Sequence, residues 1–325
     1  MTNTVHPIFR KENFSAAFSY HKLHLALQFA THFITVEEMQ PFWYTLLIEQ
    51  NVKRGQTTRE SGRPQMFFKN PPPKVLTRAQ TKATKHALNA LKDAVTFDFG
   101  DDETCASTEC TKFKAPAPFK GLSCIIRVSH SHVNNLGTSP EIHPLFGDPH
   151  LAVTLVHELA HGAMFVSRKK QTLGYDWFLH DASTSEIGFE GEARLFGGHC
   201  ISIEAEVIPP NRTERRREGR DRVYEQRAGF LKWPSLRQVQ IYSELGLDHE
   251  SNDPEFYLAL RDGYKMPDED KRMLLSPDYF SDIFTDALCE RVRDLGIRAL
   301  QPETAGQYIV LFDPESEDPP ESLTP

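Results

Sequence analysis

His157 and His161 stand four residues apart, with Glu158 directly after the first, in the stretch TLVHELAHGAMF covering residues 154–165. Four residues make about one turn of an α-helix, so on a helix both imidazoles emerge on one side. Two imidazoles so placed can take two corners of a tetrahedral zinc site. Glu158 points about 100° further round the same turn, beside the metal, where it can take a proton from an attacking water. The pattern therefore points to metal-assisted hydrolysis.

A buried helix that merely happens to contain histidines is the competing reading. Between Pro149 and Phe165, however, Glu158 is the only Asp, Glu, Lys or Arg. Two imidazoles and a carboxylate in so apolar a helix need partners, because burying unpaired polar groups is costly. One metal ion would satisfy all three. The helix itself has a clear start, since Asp148 is a good N-cap acceptor and Pro149 suits the first turn.

A catalytic zinc needs a third protein ligand and an open position for water. A third histidine six residues past the second, after a glycine at the third, is excluded, because Met164 and Ser167 hold those positions. The segment STSEIGFEGEARLFGGHC, from Ser183, offers three glutamates instead. Ser183 and Glu186 have the spacing of a capping box, which gives Glu186 a job at a helix start. Glu190 falls four residues before Arg194 on a stripe expected to face solvent. Glu192 is flanked at helical spacing by Gly188, Phe189, Leu195 and Phe196, an apolar face on which a carboxylate wants a cation. Glu192 is therefore the expected third ligand, with Glu190 and Glu186 as alternatives. Gly197-Gly198 is the expected end of this helix, and His199 just beyond it suits a capping or surface role.

With these segments together the sequence resembles the gluzincin metallopeptidases, which join H-E-x-x-H to a downstream glutamate ligand. HELAH with EARLFGGH is also similar to the zinc-site segments of clostridial neurotoxin light chains, where a ligand glutamate precedes a phenylalanine by four and Gly-Gly follows. On this chain that pattern falls on Glu192, Phe196, Gly197 and Gly198. TLVHELAH with EIGFEGEARLFGG is similar as well to a group of fungal proteins with a zincin-type motif, in which an aromatic residue often stands where this chain has Glu190. The resemblance covers about 30 of 325 residues and specifies a zinc site, not a substrate. It implies an α+β zincin-like fold, with a mixed upper sheet over the active-site helix and a mostly helical lower part. Neurotoxin-type proteases also use a downstream arginine and tyrosine to stabilise the oxyanion, for which Arg222 and Tyr224 are candidates.

The rest of the chain must position these residues. With 325 residues, 39% of them hydrophobic, it can bury a substantial core. Residues 1–76 are expected to form a helical region packing on the core, 77–312 the catalytic domain, and the acidic, Pro-rich 313–325 a disordered tail. Residues 14–50 and 77–95 carry helical periodicity, which makes His21, His24 and His32 packing or surface residues. Residues 51–77 and the stretch GDDETCASTECTKFKAPAPFKG read as loop and exposed connection. LSCIIRVSH, residues 122–130, reads as a strand, and the resemblance to zincins implies that it forms the active-site edge and pairs with an extended substrate. His130 and His132 at its end could face one side, though a solvent-facing strand end explains them equally.

A net charge of −8 argues against nucleic acid as the main partner. The basic run from Arg212 to Arg222 reads as a solvated face. No stretch is apolar enough to span a bilayer, and the N-terminus lacks a signal-peptide core. Five cysteines without framework spacing suit reduced thiols in a cytoplasmic protein, and Cys105 and Cys110 in CASTEC suit ordinary loop thiols. The expected substrate is a peptide or a small amide, with Zn2+ as cofactor. A zinc enzyme of the same fold acting on a metabolite, and a non-catalytic zinc protein with four protein ligands, are the competing readings.

Overall fold

The chain is seen in a computed structural model that describes residues 4–15, 20–49, 52–57, 64–100, 106–130, 148–168, 186–206, 224–231 and 272–274, together with Val133, Leu136, Trp177, Leu179, His180 and Ala182. Both helices and strands are present, and the architecture is α+β. Helices α1 (His24–Thr35) and α2 (Gln40–Leu47) precede a hairpin of β1 (Val52–Thr57) and β2 (Pro64–Phe68). Helix α3 (Arg78–Ala90) leads into β3 (Val95–Gly100), β4 (Ala106–Lys114) and β5 (Leu122–Ser129). Helices α4 (Asp148–Ser167) and α5 (Ile187–Phe196) follow, then β6 (His199–Glu206), β7 (Tyr224–Leu231) and β8 (Arg272–Leu274), which pair in that order.

Helix α4 is the organising element. Leu151, Ala152, Leu155, Val156, Leu159, Ala160, Ala163 and Val166 are buried on it, and it packs against α1, α2, α5, β4 and β5. A helix so enclosed must be apolar on nearly every face, as its sequence is. Its hydrophobic neighbours join one connected core that reaches from Ile8 to Phe196. Gly121, in the turn between β4 and β5, donates its N–H to the carbonyl of Val166 at 2.9 Å. A side chain at Gly121 would collide with the carbonyls of Phe165, Val166 and Arg168, so only glycine lets the sheet approach the end of α4.

The sheet departs from the sequence expectation in one respect that matters for the site. Its order is β3-β5-β4, with β3 parallel and β4 antiparallel to β5. LSCIIRVSH is therefore the central strand, flanked among the described residues by β3 on one edge and by β4 on the other. The residues read as an exposed connection supply β4. Ser107, Thr108, Glu109, Cys110 and Thr111 are all half-buried, so β4 lacks the apolar alternation that marks a strand in sequence. The loop expected at 51–77 likewise contains the β1–β2 hairpin, in which Phe68 is fully buried.

Helix α3 starts on a capping box: the Thr77 hydroxyl accepts from Gln80 N–H, and the Gln80 side chain accepts from Thr77 N–H. It ends earlier than its periodicity suggests, giving way to β3 at Val95. The basic run 212–222, the tail 313–325, Cys105 and His132 lie outside the described residues. Among the described residues no helix is long and apolar enough to cross a membrane.

Candidate metal centre

One turn of α4 carries His157, Glu158 and His161, and the first turn of α5 lies against it. The Nε2 atoms of His157 and His161 are 3.3 Å apart. A carboxylate oxygen of Glu186, Oε1, lies 2.7 Å from His161 Nε2 and 3.4 Å from His157 Nε2. Two nitrogens and an oxygen bound tetrahedrally at zinc distances would be about 3.3 Å from one another. Two of the spacings match that value and the third, His161 to Glu186, is of hydrogen-bond length, so the three groups could close around a metal ion. The three side chains keep 13%, 18% and 12% of their surface exposed.

The carboxylate that faces both imidazoles is thus Glu186 and not Glu192. Helix α5 begins at Ile187 with Glu186 itself as N-cap, while Ser183 lies outside the described residues. Glu186 does cap the helix: Oε2 accepts from Phe189 N–H at 2.5 Å. A carboxylate has two oxygens, however, and the second is turned to the histidines. Glu192 is 4% exposed, as its apolar neighbours imply. Its cation is the far side of the same histidine, with Oε1 2.7 Å from His157 Nδ1. Glu190 is half-buried and Arg194 exposed, matching the outward stripe.

The electrostatics follow from this crowding. Burial alone would lower the His157 pKa, but the charge of Glu186 and hydrogen bonds from Glu186 and Glu192 outweigh it and push it up to about 10. Burial would raise Glu186, yet His157 and His161 hold its carboxyl well below the usual range. The site is poised to hold positive charge among carboxylates, which is what a divalent cation supplies.

Glu158 is 8% exposed. Its Oε2 accepts from the Thr108 hydroxyl of edge strand β4 at 2.7 Å, so the strand and the carboxylate are joined directly. Thr108 carried no signal in the sequence, because the strand bearing it carried none. Two glycines make the geometry possible. A Cβ on Gly188 would lie 2.5 Å from the His157 ring, so the ring occupies the space a side chain there would take. A Cβ on Gly162 would lie 3.0 Å from Cys124 Sγ and 3.9 Å from Thr108 Cγ2, so Gly162 brings α4 close to the sheet.

Other sequence candidates lie elsewhere. His130 stacks its ring on Phe99, with centroids 6.4 Å apart. His199 opens β6, and α5 ends as expected at Gly197, with φ of 80° and its N–H on the carbonyl of Ala193. Arg222 lies outside the described residues, and of Tyr224 only its place at the start of β7 is described. Compared with family models, curated proteins and solved structures, the chain matches none.

Proposed function

We propose that the chain is a zinc-dependent hydrolase of amide or peptide bonds, built on a zincin-like arrangement of sheet and helices. The observation that carries this reading is the convergence of one ligand atom each from His157, His161 and Glu186 within 4.8 Å. Imidazole nitrogens with one carboxylate suit zinc, and three protein ligands are the number catalytic zinc sites use. Bound there, zinc would polarise a substrate carbonyl and bring the acidity of a water close to neutrality.

The chain's own residues divide the remaining work. Glu192 accepts from His157 Nδ1–H, which fixes the tautomer and leaves the Nε2 lone pair for the metal. Glu158 takes the proton of the attacking water and delivers it to the leaving nitrogen. Thr108 holds one Glu158 oxygen, so the other is the one presented to water. Edge strand β4 lies beside that carboxylate, and an extended peptide could pair with it. That proximity favours a peptide over a compact metabolite, and a cytoplasmic setting completes the proposal.

Glu158→Gln tests it. The variant should keep one zinc per chain and lose hydrolysis in a screen of peptides run alongside small amides. Absence of zinc from protein prepared without chelators would refute the metal reading. Cleavage confined to small amides would leave the hydrolase intact and replace the substrate class.

A further inference from the structure

Cys110 on β4 and Cys124 on β5 are directly opposed partners in the antiparallel ladder. Directly opposed residues share one face of the sheet, with Cα atoms about 4.5–5.5 Å apart. A disulfide needs a Cα separation of about 4.4–6.8 Å, so this pair can be bridged without moving the backbone. Both residues are thiols in this structure. Cys124 is buried, with its sulfur directed at Gly162 of α4, whereas Cys110 is half-buried and more accessible. Burial, reinforced by the neighbouring Cys110 and Glu158, pushes the Cys124 thiol up. Cys110 is therefore the sulfur that meets an oxidant, and Cys124 the one that resolves it.

We propose that Cys110 and Cys124 are a redox-active dithiol, which a peroxide closes into a cross-strand disulfide that staples edge strand β4 to β5 beside Glu158. The Cys110 thiolate attacks one peroxide oxygen, the O–O bond breaks, and Cys110 becomes a sulfenic acid as water is released. The Cys124 sulfur then attacks the Cys110 sulfur, the S–O bond breaks, and a second water leaves with the Cys124 proton. Two electrons pass from the dithiol to the peroxide. Thr108, which holds Glu158, lies two residues from Cys110 on the same face, so the staple fixes the strand carrying that contact. Neither sulfur belongs to the His157–His161–Glu186 group, so the dithiol stands independently of the metal reading.

The test is graded hydrogen peroxide treatment of the full chain, then alkylation and peptide mapping by mass spectrometry. A Cys110–Cys124 linked peptide should form before any other linkage and disappear with dithiothreitol. Closing this 15-residue loop should raise the thermal midpoint by about 5 °C or more. Cys110→Ser should abolish both the linked peptide and the shift, and should fold even if Cys124→Ala does not. Zinc content should be equal in the oxidised and reduced forms. Linkage of Cys110 to Cys105, or over-oxidation of Cys110 while Cys124 still alkylates after unfolding, would overturn the proposal.

Discussion

Glu192 Oε1 lies 2.7 Å from Nδ1 of His157, on the opposite side of the imidazole from the Nε2 atom that faces His161 and Glu186. One histidine is thereby held between two carboxylates that do different work. Glu186 is placed to share a cation with the ring, and Glu192 to hold the ring in one tautomer. The two roles separate experimentally. Glu186→Gln should cut zinc affinity by well over 100-fold, since it removes a ligand yet leaves an amide oxygen able to cap α5. Glu192→Gln should cost only about 10–100-fold, as loss of an outer partner does. Competition against a chromophoric chelator measures both, and the reverse order would return the ligand role to Glu192.

Gly188 gives a sharper geometric test, because helix propensity and site geometry oppose each other there. Alanine in place of glycine inside a helix ordinarily stabilises by about 1 kcal/mol. At this position its Cβ would stand 2.5 Å from the His157 ring, and the ring must turn away. Gly188→Ala should therefore lose zinc even where the fold persists by circular dichroism. Full zinc content in that variant would mean that His157 is not fixed where the structure puts it.

The motif helix was legible in sequence because its signals agree: Asp148-Pro149 start it, apolar residues fill it, and the histidines fall one turn apart. The burial of Glu192 was legible too, from Gly188, Phe189, Leu195 and Phe196 around it. What the neighbours of Glu192 could not reveal is its cation, since apolar surroundings demand a partner without saying from which side it arrives. Glu186 was read as a helix-start residue, and it is one. Its second oxygen escaped notice because a local capping pattern is blind to what packs across from it. Strand β4 was missed for a different reason: Ser107 to Thr111 alternate between the sheet faces without alternating in polarity. Thr108 and the Cys110–Cys124 pairing, both consequences of that strand, became visible only with the register.

The charge arrangement around His157 gives metal uptake a definite pH dependence. With a folded pKa raised to about 10 from 6.5, protonated His157 contributes stability to the metal-free protein that is fully present below about pH 6.5. That contribution is lost as pH rises through about 10. Glu186, held low, contributes in the opposite sense: its part is present above about 4.5 and lost as pH falls through its folded value. Zinc requires the imidazole without its proton, so affinity should climb by about tenfold per pH unit between pH 6.5 and 9. Titration calorimetry in buffers of different ionisation enthalpy should register release of a proton on binding. A flat affinity across that window would contradict the carboxylate–imidazole pairing.

Thr108 should matter to turnover and not to metal binding. Thr108→Val keeps the side-chain shape and removes the hydroxyl that holds Glu158 Oε2. Zinc content should stay at one per chain while the turnover number on any cleaved substrate falls by about 10-fold or more, as loss of an orienting contact implies. Thr108→Ser, which keeps the donor, should recover most of it. Equal rates in the valine and wild-type proteins would leave the edge strand without a part in positioning Glu158.

The far end of α4 depends on Arg168, which directly follows the helix and is only 3% exposed. Its Nη1 donates to the carbonyl of Glu49 at 2.7 Å, and its Nη2 to those of Leu46 and Thr45 at 3.1 and 3.3 Å. These carbonyls lie at and just beyond the C-terminal end of α2, where a cation is favoured by the helix dipole and by acceptors that lack donors within the helix. The guanidinium also lies 4.7 Å from the ring centre of Phe68 and 4.5 Å from that of Trp177, between strand β2 and the segment after α4. Ser167 adds a hydroxyl donor to the Leu46 carbonyl at 2.8 Å. Burial pulls the Arg168 pKa down to about 10, so the charge is retained at neutral pH despite its surroundings. Arg168→Met fills similar space but removes the guanidinium donors from the carbonyls of Thr45, Leu46 and Glu49, and should lower the unfolding free energy by about 3 kcal/mol. Arg168→Lys keeps the charge but not the planar fork, and should lose about half as much. Urea denaturation of the metal-free proteins measures both. A methionine variant as stable as wild type would show that packing alone, without this fork, holds α4 to α2.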